Sequence, residues 1–143
     1  MTESSDLFLR IRARHGHYCP MSTLGGRLGT AALTALGSGA GELTATYHID
    51  TCAADGIAVA TGCLSEEGRL TVRGEGRHRL VLRAGDGRGV AAELSAAALE
   101  QAAACRKRLD AGEDAELVLA VLRTAPTNEL IAVTPLAGEE TDA

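Results

Sequence analysis

The chain has 143 residues, a net charge of −5, four cysteines, no tryptophan, one phenylalanine and two tyrosines. That length suits one domain with a core that needs no disulfide staples. The acidic balance excludes a basic footprint for nucleic acid or an anionic membrane, and no stretch approaches the ~20 apolar residues of a membrane helix. The polar, acidic start Met1-Thr2-Glu3-Ser4-Ser5-Asp6 is unlike a secretory leader, so a cytoplasmic location is expected, where cysteines serve as thiols or metal ligands.

Residues 4–14 place Leu7, Phe8 and Ile11 on one helical face, predicting a short amphipathic helix that delivers the chain to His15-Gly16-His17-Tyr18-Cys19-Pro20. Pro20 suits the first position of a second helix, with Cys19 as its N-cap. Unpaired N–H groups and the positive end of the helix dipole favour an anion there, so Cys19 reads as a poised thiolate beside two imidazoles. Such a set suits a soft transition metal, zinc being expected, or a cysteine nucleophile with a nearby base. Leu24, Leu28, Ala32 and Ala35 continue the helix to Gly37. Gly25, Gly26 and Gly29 each cost up to about 1 kcal/mol inside it, which implies the close approach of another element.

Gly37-Ser38-Gly39-Ala40-Gly41 follows a helix and precedes a strand, the wrong order for a phosphate loop, and reads as a flexible connection. From Leu43 the residues alternate, with Leu43, Ala45, Tyr47 and Ile49 on one face and Glu42, Thr44, Thr46 and His48 on the polar one. Asp50 or Thr51 caps the next helix, which holds Cys52 at its start and Asp55 in its first turn, and stops at Gly62 before Cys63. Strands follow near 69–73, 78–84 and 89–94, the last two joined by Gly85-Asp86-Gly87. Arg73, Arg77, Arg79 and Arg83, interleaved with Glu75, read as a solvated strand face. Ser95 caps a helix striped by Ala98, Ala102, Cys105 and Leu109, in which Cys105 is a buried small hydrophobe. A helix over 113–123, ended by Pro126, and a strand over 130–133 complete the chain, with 138–143 a disordered acidic tail after a single domain at 1–137.

The ordered set His15-Gly16-His17-Tyr18-Cys19-Pro20, Asp50-Thr51-Cys52 with Asp55, and Thr61-Gly62-Cys63 resembles the core domain of the FmdE family, which takes its name from formylmethanofuran dehydrogenase. The resemblance runs over roughly residues 5–95, with an echo in Thr124-Ala125-Pro126-Thr127-Asn128-Glu129-Leu130. Met21 stands where the family usually has Gly. Leu64-Ser65-Glu66-Glu67-Gly68-Arg69-Leu70 replaces a Thr-x-Gly-Lys-Gly-Asn-Leu pattern and loses its lysine, which puts any small anionic ligand held by that lysine in question. The C-terminal zinc finger of some members has no counterpart, since no cysteine lies beyond Cys105. The resemblance implies an α+β core, with an antiparallel or mixed sheet packed with helices, in an intertwined homodimer.

A straight helix from Cys52 to Cys63 separates them by roughly 16 Å, whereas zinc–ligand bonds are about 2.0–2.3 Å. One ion therefore takes only one of them from a given chain. His17, Cys19 and Cys52 converge if the two helix N-termini meet; Cys63 joins only from a partner subunit or through a turn that doubles back. His15 is a further ligand or the group that orients His17. Two functions follow. One is a metal-binding accessory or sensor protein on His17, Cys19 and Cys52, linked to molybdenum or tungsten enzyme metabolism as the family name suggests. The other is a small enzyme with Cys19 or Cys52 as nucleophile, His17 as base and Asp55 as orienting or acid group.

Overall fold

The computed structural model describes residues 2–37 and 41–136. The glycine-rich connection at 38–40 and the acidic tail lie outside them.

Helix α1 (Thr2–His15) starts two residues earlier than the apolar pattern suggests and carries His15 as its last residue. Gly16 turns the chain with φ +100°, a conformation that side chains with a Cβ rarely adopt. Cys19 then takes extended backbone as the N-cap of α2 (Pro20–Leu36), with Pro at the start and Gly37 at the end, as the sequence indicates. Strand β1 (Leu43–Tyr47) leads to α3 (Ala53–Thr61), which ends on left-handed Gly62. A 3-10 turn (Ser65–Glu67) precedes β2 (Leu70–Val72), followed by β3 (Arg79–Ala84) and β4 (Gly89–Leu94). Helices α4 (Ala96–Asp110), α5 (Ala115–Thr124) and α6 (Thr127–Leu130) precede β5 (Ile131–Leu136).

The five strands form one mixed sheet in the order β2-β1-β3-β4-β5. Only β1 and β2 are parallel, Ala45 facing Leu70 and Tyr47 facing Val72; the other pairs are antiparallel. The protein is thus α+β, as expected. β1, α3 and β2 make a β-α-β crossover, so the N-terminus of α3 lies just beyond the carboxyl end of β1, where open sheets commonly place their sites.

Ala45, Tyr47, Leu80, Leu82, Ala84, Val90, Ala92 and Leu94 form the core face of the sheet. Leu24, Leu28, Ala32 and Leu36 of α2, Ile57 of α3, and Val118, Leu119 and Leu122 of α5 pack against it. Cys105 is buried here, as expected, its thiol facing the Val118 carbonyl at 3.5 Å. Arg73 pairs with Glu75 and Arg77 with Glu93, which accounts for part of the basic stretch as surface ion pairs.

The three glycines of α2 meet neighbouring helices closely. A Cβ on Gly25 would strike the Ala53 carbonyl, one on Gly29 would lie 2.8 Å from the Ala60 Cβ, and one on Gly56 of α3 would strike the Ser22 carbonyl. Residues 22–25 thus oppose 53–56, and Gly29 opposes 57–61, so α2 and α3 run parallel with both N-termini at the same end. The close approach implied by those glycines is therefore a helix–helix contact. It fixes the site, because Cys19 and Cys52 cap these two helices.

Two expectations change. His48 is not on an exposed polar face: β1 ends at Tyr47, and the loop at 73–77 closes over His48 by donating the Glu75 and Arg77 amides to its carbonyl. The buried ring bonds Glu75 Oε1 through Nδ1 at 2.7 Å. α5 stops at Thr124 ahead of Pro126, as expected, and Pro126 then caps the short α6; β5 runs to Leu136 rather than stopping at 133 because β4 offers it a full-length partner. Among the described residues, no helix is long and apolar enough to cross a membrane.

Candidate metal centre

The segment between α1 and α2 is held by Tyr18. Its ring lies under the guanidinium groups of Arg12 (5.0 Å) and Arg123 (5.3 Å), and the Glu116 carboxylate near its hydroxyl holds the phenol proton more tightly than usual. With Gly16 supplying the turn, the rings of His15 and His17 approach to 4.6 Å between centroids, tilted by 39°. The ligand atoms of His15, His17 and Cys19 all lie within 4.8 Å of one another. Cys19 is buried, His15 half-buried and His17 exposed, so the group sits at the surface with one open side.

His15 is oriented from below. Its Nδ1 lies 2.8 Å from Asp55 Oδ2, while Oδ1 of the same carboxylate accepts from Arg14 Nε at 3.3 Å. Arg14 is fixed in turn by two bonds to Glu66, at 2.9 and 3.2 Å. These bonds draw the Glu66 carboxyl down to about 2 and raise the Arg14 pKa. The other ring nitrogen, His15 Nε2, is buried and has no hydrogen-bond partner. An unsatisfied buried nitrogen costs free energy unless something fills its lone pair or takes its proton.

Cys52 lies near enough to Cys19 for the two thiols to interact electrostatically, though it is not one of the mutually close three. The convergence of two helix N-termini is thus present, but a metal-free thiolate pair is disfavoured. Burial raises the Cys52 pKa, as do the neighbouring Cys19 sulfur and Asp55; Arg106 opposes them. Asp55, expected as an orienting or acid group, contacts His15.

Cys63 stands at the opposite end of α3 from Cys52, as helix length dictates. It is 1% exposed within the hydrophobic core, and burial raises its thiol pKa. Within one chain no turn doubles back to bring it to His15, His17 and Cys19, which leaves the partner-subunit route as the expectation for Cys63.

Three residues that the sequence reading does not assign to the site are brought there by the structure. Arg14 and Glu66, 52 positions apart, support Asp55. Arg106 points Nη2 at Cys19 Sγ at 3.8 Å from 87 positions away. The only sequence signal for Glu66 is its place in the segment that departs from the family pattern; Arg106 reads simply as a last-turn cation.

The chain is thus an α+β domain in which two parallel helix N-termini meet beside a His-Gly-His-x-Cys turn. Residues 14–132 match the FmdE family, described as belonging to the molybdenum formylmethanofuran dehydrogenase operon, and the chain belongs to that family. Among solved structures, a tungsten formylmethanofuran dehydrogenase FmdE-like protein from Syntrophus aciditrophicus superimposes with a TM-score of 0.70 at 22% identity, over 94% of this chain and 72% of that one. That likeness concerns the fold. A probable S-adenosyl-L-methionine-binding protein from Archaeoglobus fulgidus is 34% identical over 98 residues, 63% of this chain and 27% of its own. The chain thus spans about a quarter of that relative.

Proposed function

We propose that this protein is a metal-binding accessory or sensor protein for formylmethanofuran dehydrogenase metabolism, with a transition metal on His15, His17, Cys19 and Cys52. The observation that carries the reading is the gathering of the His15, His17 and Cys19 ligand atoms within 4.8 Å, around a His15 whose Nδ1 is held by Asp55 and whose Nε2 is buried and unpartnered. A carboxylate on one imidazole nitrogen and an unfilled lone pair on the other is the arrangement around histidine ligands. Two imidazoles and thiolate sulfur favour zinc among common metals. Membership of the FmdE family supports the accessory role. Metal also removes the electrostatic conflict between the two thiols, because a cation stabilises both as thiolates.

The reading includes a homodimer, supported by exposed apolar side chains on α1 and α5: Leu9 (56%), Leu117 (72%) and Val121 (44%). A second reading, a cysteine enzyme with Cys19 as nucleophile and His17 as base, is favoured by Arg106 beside the Cys19 sulfur.

Elemental mass spectrometry of the wild type and of His17→Ala, Cys19→Ser and Cys52→Ala, with mass in solution measured alongside, tests both. About one metal per chain, or one per dimer, lost in the variants, supports the metal reading. A protein that neither retains metal nor takes up added zinc sinks it and moves the question to thiol chemistry.

A further inference from the structure

A cavity of about 290 Å³ lies between the start of α2, directly after Cys19 in the chain, and the middle of α4. Pro20, Met21, Leu99, Ala102, Ala103 and Arg106 line it. Five of these six offer only apolar side chains. Arg106 is the sixth: it lines the cavity, and its Nη2 lies 3.8 Å from the Cys19 sulfur.

We propose that this cavity binds a small amphiphilic carboxylate, its anionic end on Arg106 and its hydrocarbon part against Met21, Leu99 and Ala103. The guanidinium has five N–H donors in a planar fork that matches a carboxylate. Its contacts to Cys19 Sγ (3.8 Å) and Asp110 Oδ1 (3.9 Å) are both long and leave donor directions unfilled. A single guanidinium, with Asp110 nearby and a chain of net charge −5, balances a monoanion better than a phosphate. The volume is at the small end of ligand pockets, which run from about 300 Å³ upward. It therefore suits a short aliphatic chain or one ring rather than a nucleotide. Met21 makes the wall adaptable, since an unbranched thioether fits irregular apolar shapes. The departure of residue 21 from the family's glycine thus falls on the wall of this cavity.

The proposal does not require a bound metal, and its test is made on chelated protein, so that loss of zinc and loss of the pocket are read separately. Amide chemical shifts of the full chain are followed while acetate, butanoate, hexanoate and the uncharged hexanol are added. Hexanoate is expected to move the amides of Met21, Leu99 and Ala103. Affinity should rise about three- to fourfold per methylene while the chain is being buried, and hexanol should bind more weakly than hexanoate. Arg106→Gln, at an exposed position that leaves the core intact, is expected to weaken hexanoate about tenfold or more. Ala103→Leu should flatten the chain-length series by filling the cavity. The proposal is overturned if hexanoate leaves these amides unmoved at its highest soluble concentration, if hexanol binds as well as hexanoate, or if Arg106→Gln binds unchanged while its spectrum stays folded.

Discussion

Asp55 holds His15 across 40 positions of sequence, its Oδ2 2.8 Å from the imidazole Nδ1, and so leaves Nε2 as the ring nitrogen without a partner. In the neutral ring Nδ1–H donates to the carboxylate and the Nε2 lone pair is free. This carboxylate–imidazole pair links α3 to α1 and ties the first helix to the proposed metal group.

Asp55→Asn is therefore expected to weaken zinc binding about 10- to 100-fold, the usual effect of removing a carboxylate behind a histidine ligand. Asp55→Ala should do at least as much. Competition against a chromophoric chelator measures it. Unchanged affinity in both variants would leave Asp55 as a helix-joining residue and no more.

The four thiols should separate by reactivity. Cys52 is exposed, whereas Cys19, Cys63 and Cys105 are 1%, 1% and 2% exposed. Alkylation of metal-free protein, followed by peptide mass spectrometry, is expected to label Cys52 first, slowed by the raised pKa of its thiol. Cys63 and Cys105 should react only on unfolding. Added zinc should protect Cys19 and Cys52 and leave the other two unaffected. Fast labelling of Cys19 in the absence of metal would favour the enzyme reading, and equal slow rates at all four would remove it.

The parallel packing of α2 on α3 makes a sharper claim about stability. Alanine normally improves a helix interior over glycine by up to about 1 kcal/mol. At Gly25 the new Cβ meets the Ala53 backbone carbonyl, which cannot rotate away, so the helices must separate. Gly25→Ala is expected to cost about 1–3 kcal/mol in denaturant unfolding, and to weaken zinc binding because the two capping thiols part. At Gly26 the new Cβ meets Ile11 Cδ1 at 2.5 Å, the movable end of a side chain. Gly26→Ala should therefore be the milder of the two; the reverse order would show that α2 and α3 pack more loosely than these distances require.

Much of this frame is legible locally. Pro20, Gly37, Gly62 and Ser95 mark helix ends through one-residue chemistry, and the alternation around Gly85-Asp86-Gly87 marks a hairpin. His15, His17, Cys19 and Cys52 stand out because thiols and imidazoles crowd two helix starts. What is not legible depends on distant segments. Leu70–Val72 is three residues long, and nothing local makes it parallel to β1. His48 keeps the polar phase of its strand but is covered by residues 73–77, which no periodicity reports. Arg14, Glu66 and Arg106 look like solvated charges until the fold brings Asp55 and Cys19 to them.

Glu66 makes the last prediction, in the acid range. Its two bonds with Arg14 hold its carboxyl at about 2, below the ordinary 4.5. Because the folded-state value is depressed, the unfolded chain binds the proton more readily. The pair's contribution is thus complete above 4.5 and is lost as the pH falls toward 2. Thermal unfolding of wild type and Glu66→Gln should differ by a constant margin near neutral pH, and the two should converge between pH 4.5 and 2. The margin is expected to be small and to shrink with salt, since the pair is at the surface. Below the convergence Arg14 loses its anchor on the 3-10 turn and keeps only Asp55. A margin that persists unchanged to pH 2 would mean that Glu66 acts through packing of the turn rather than through its charge.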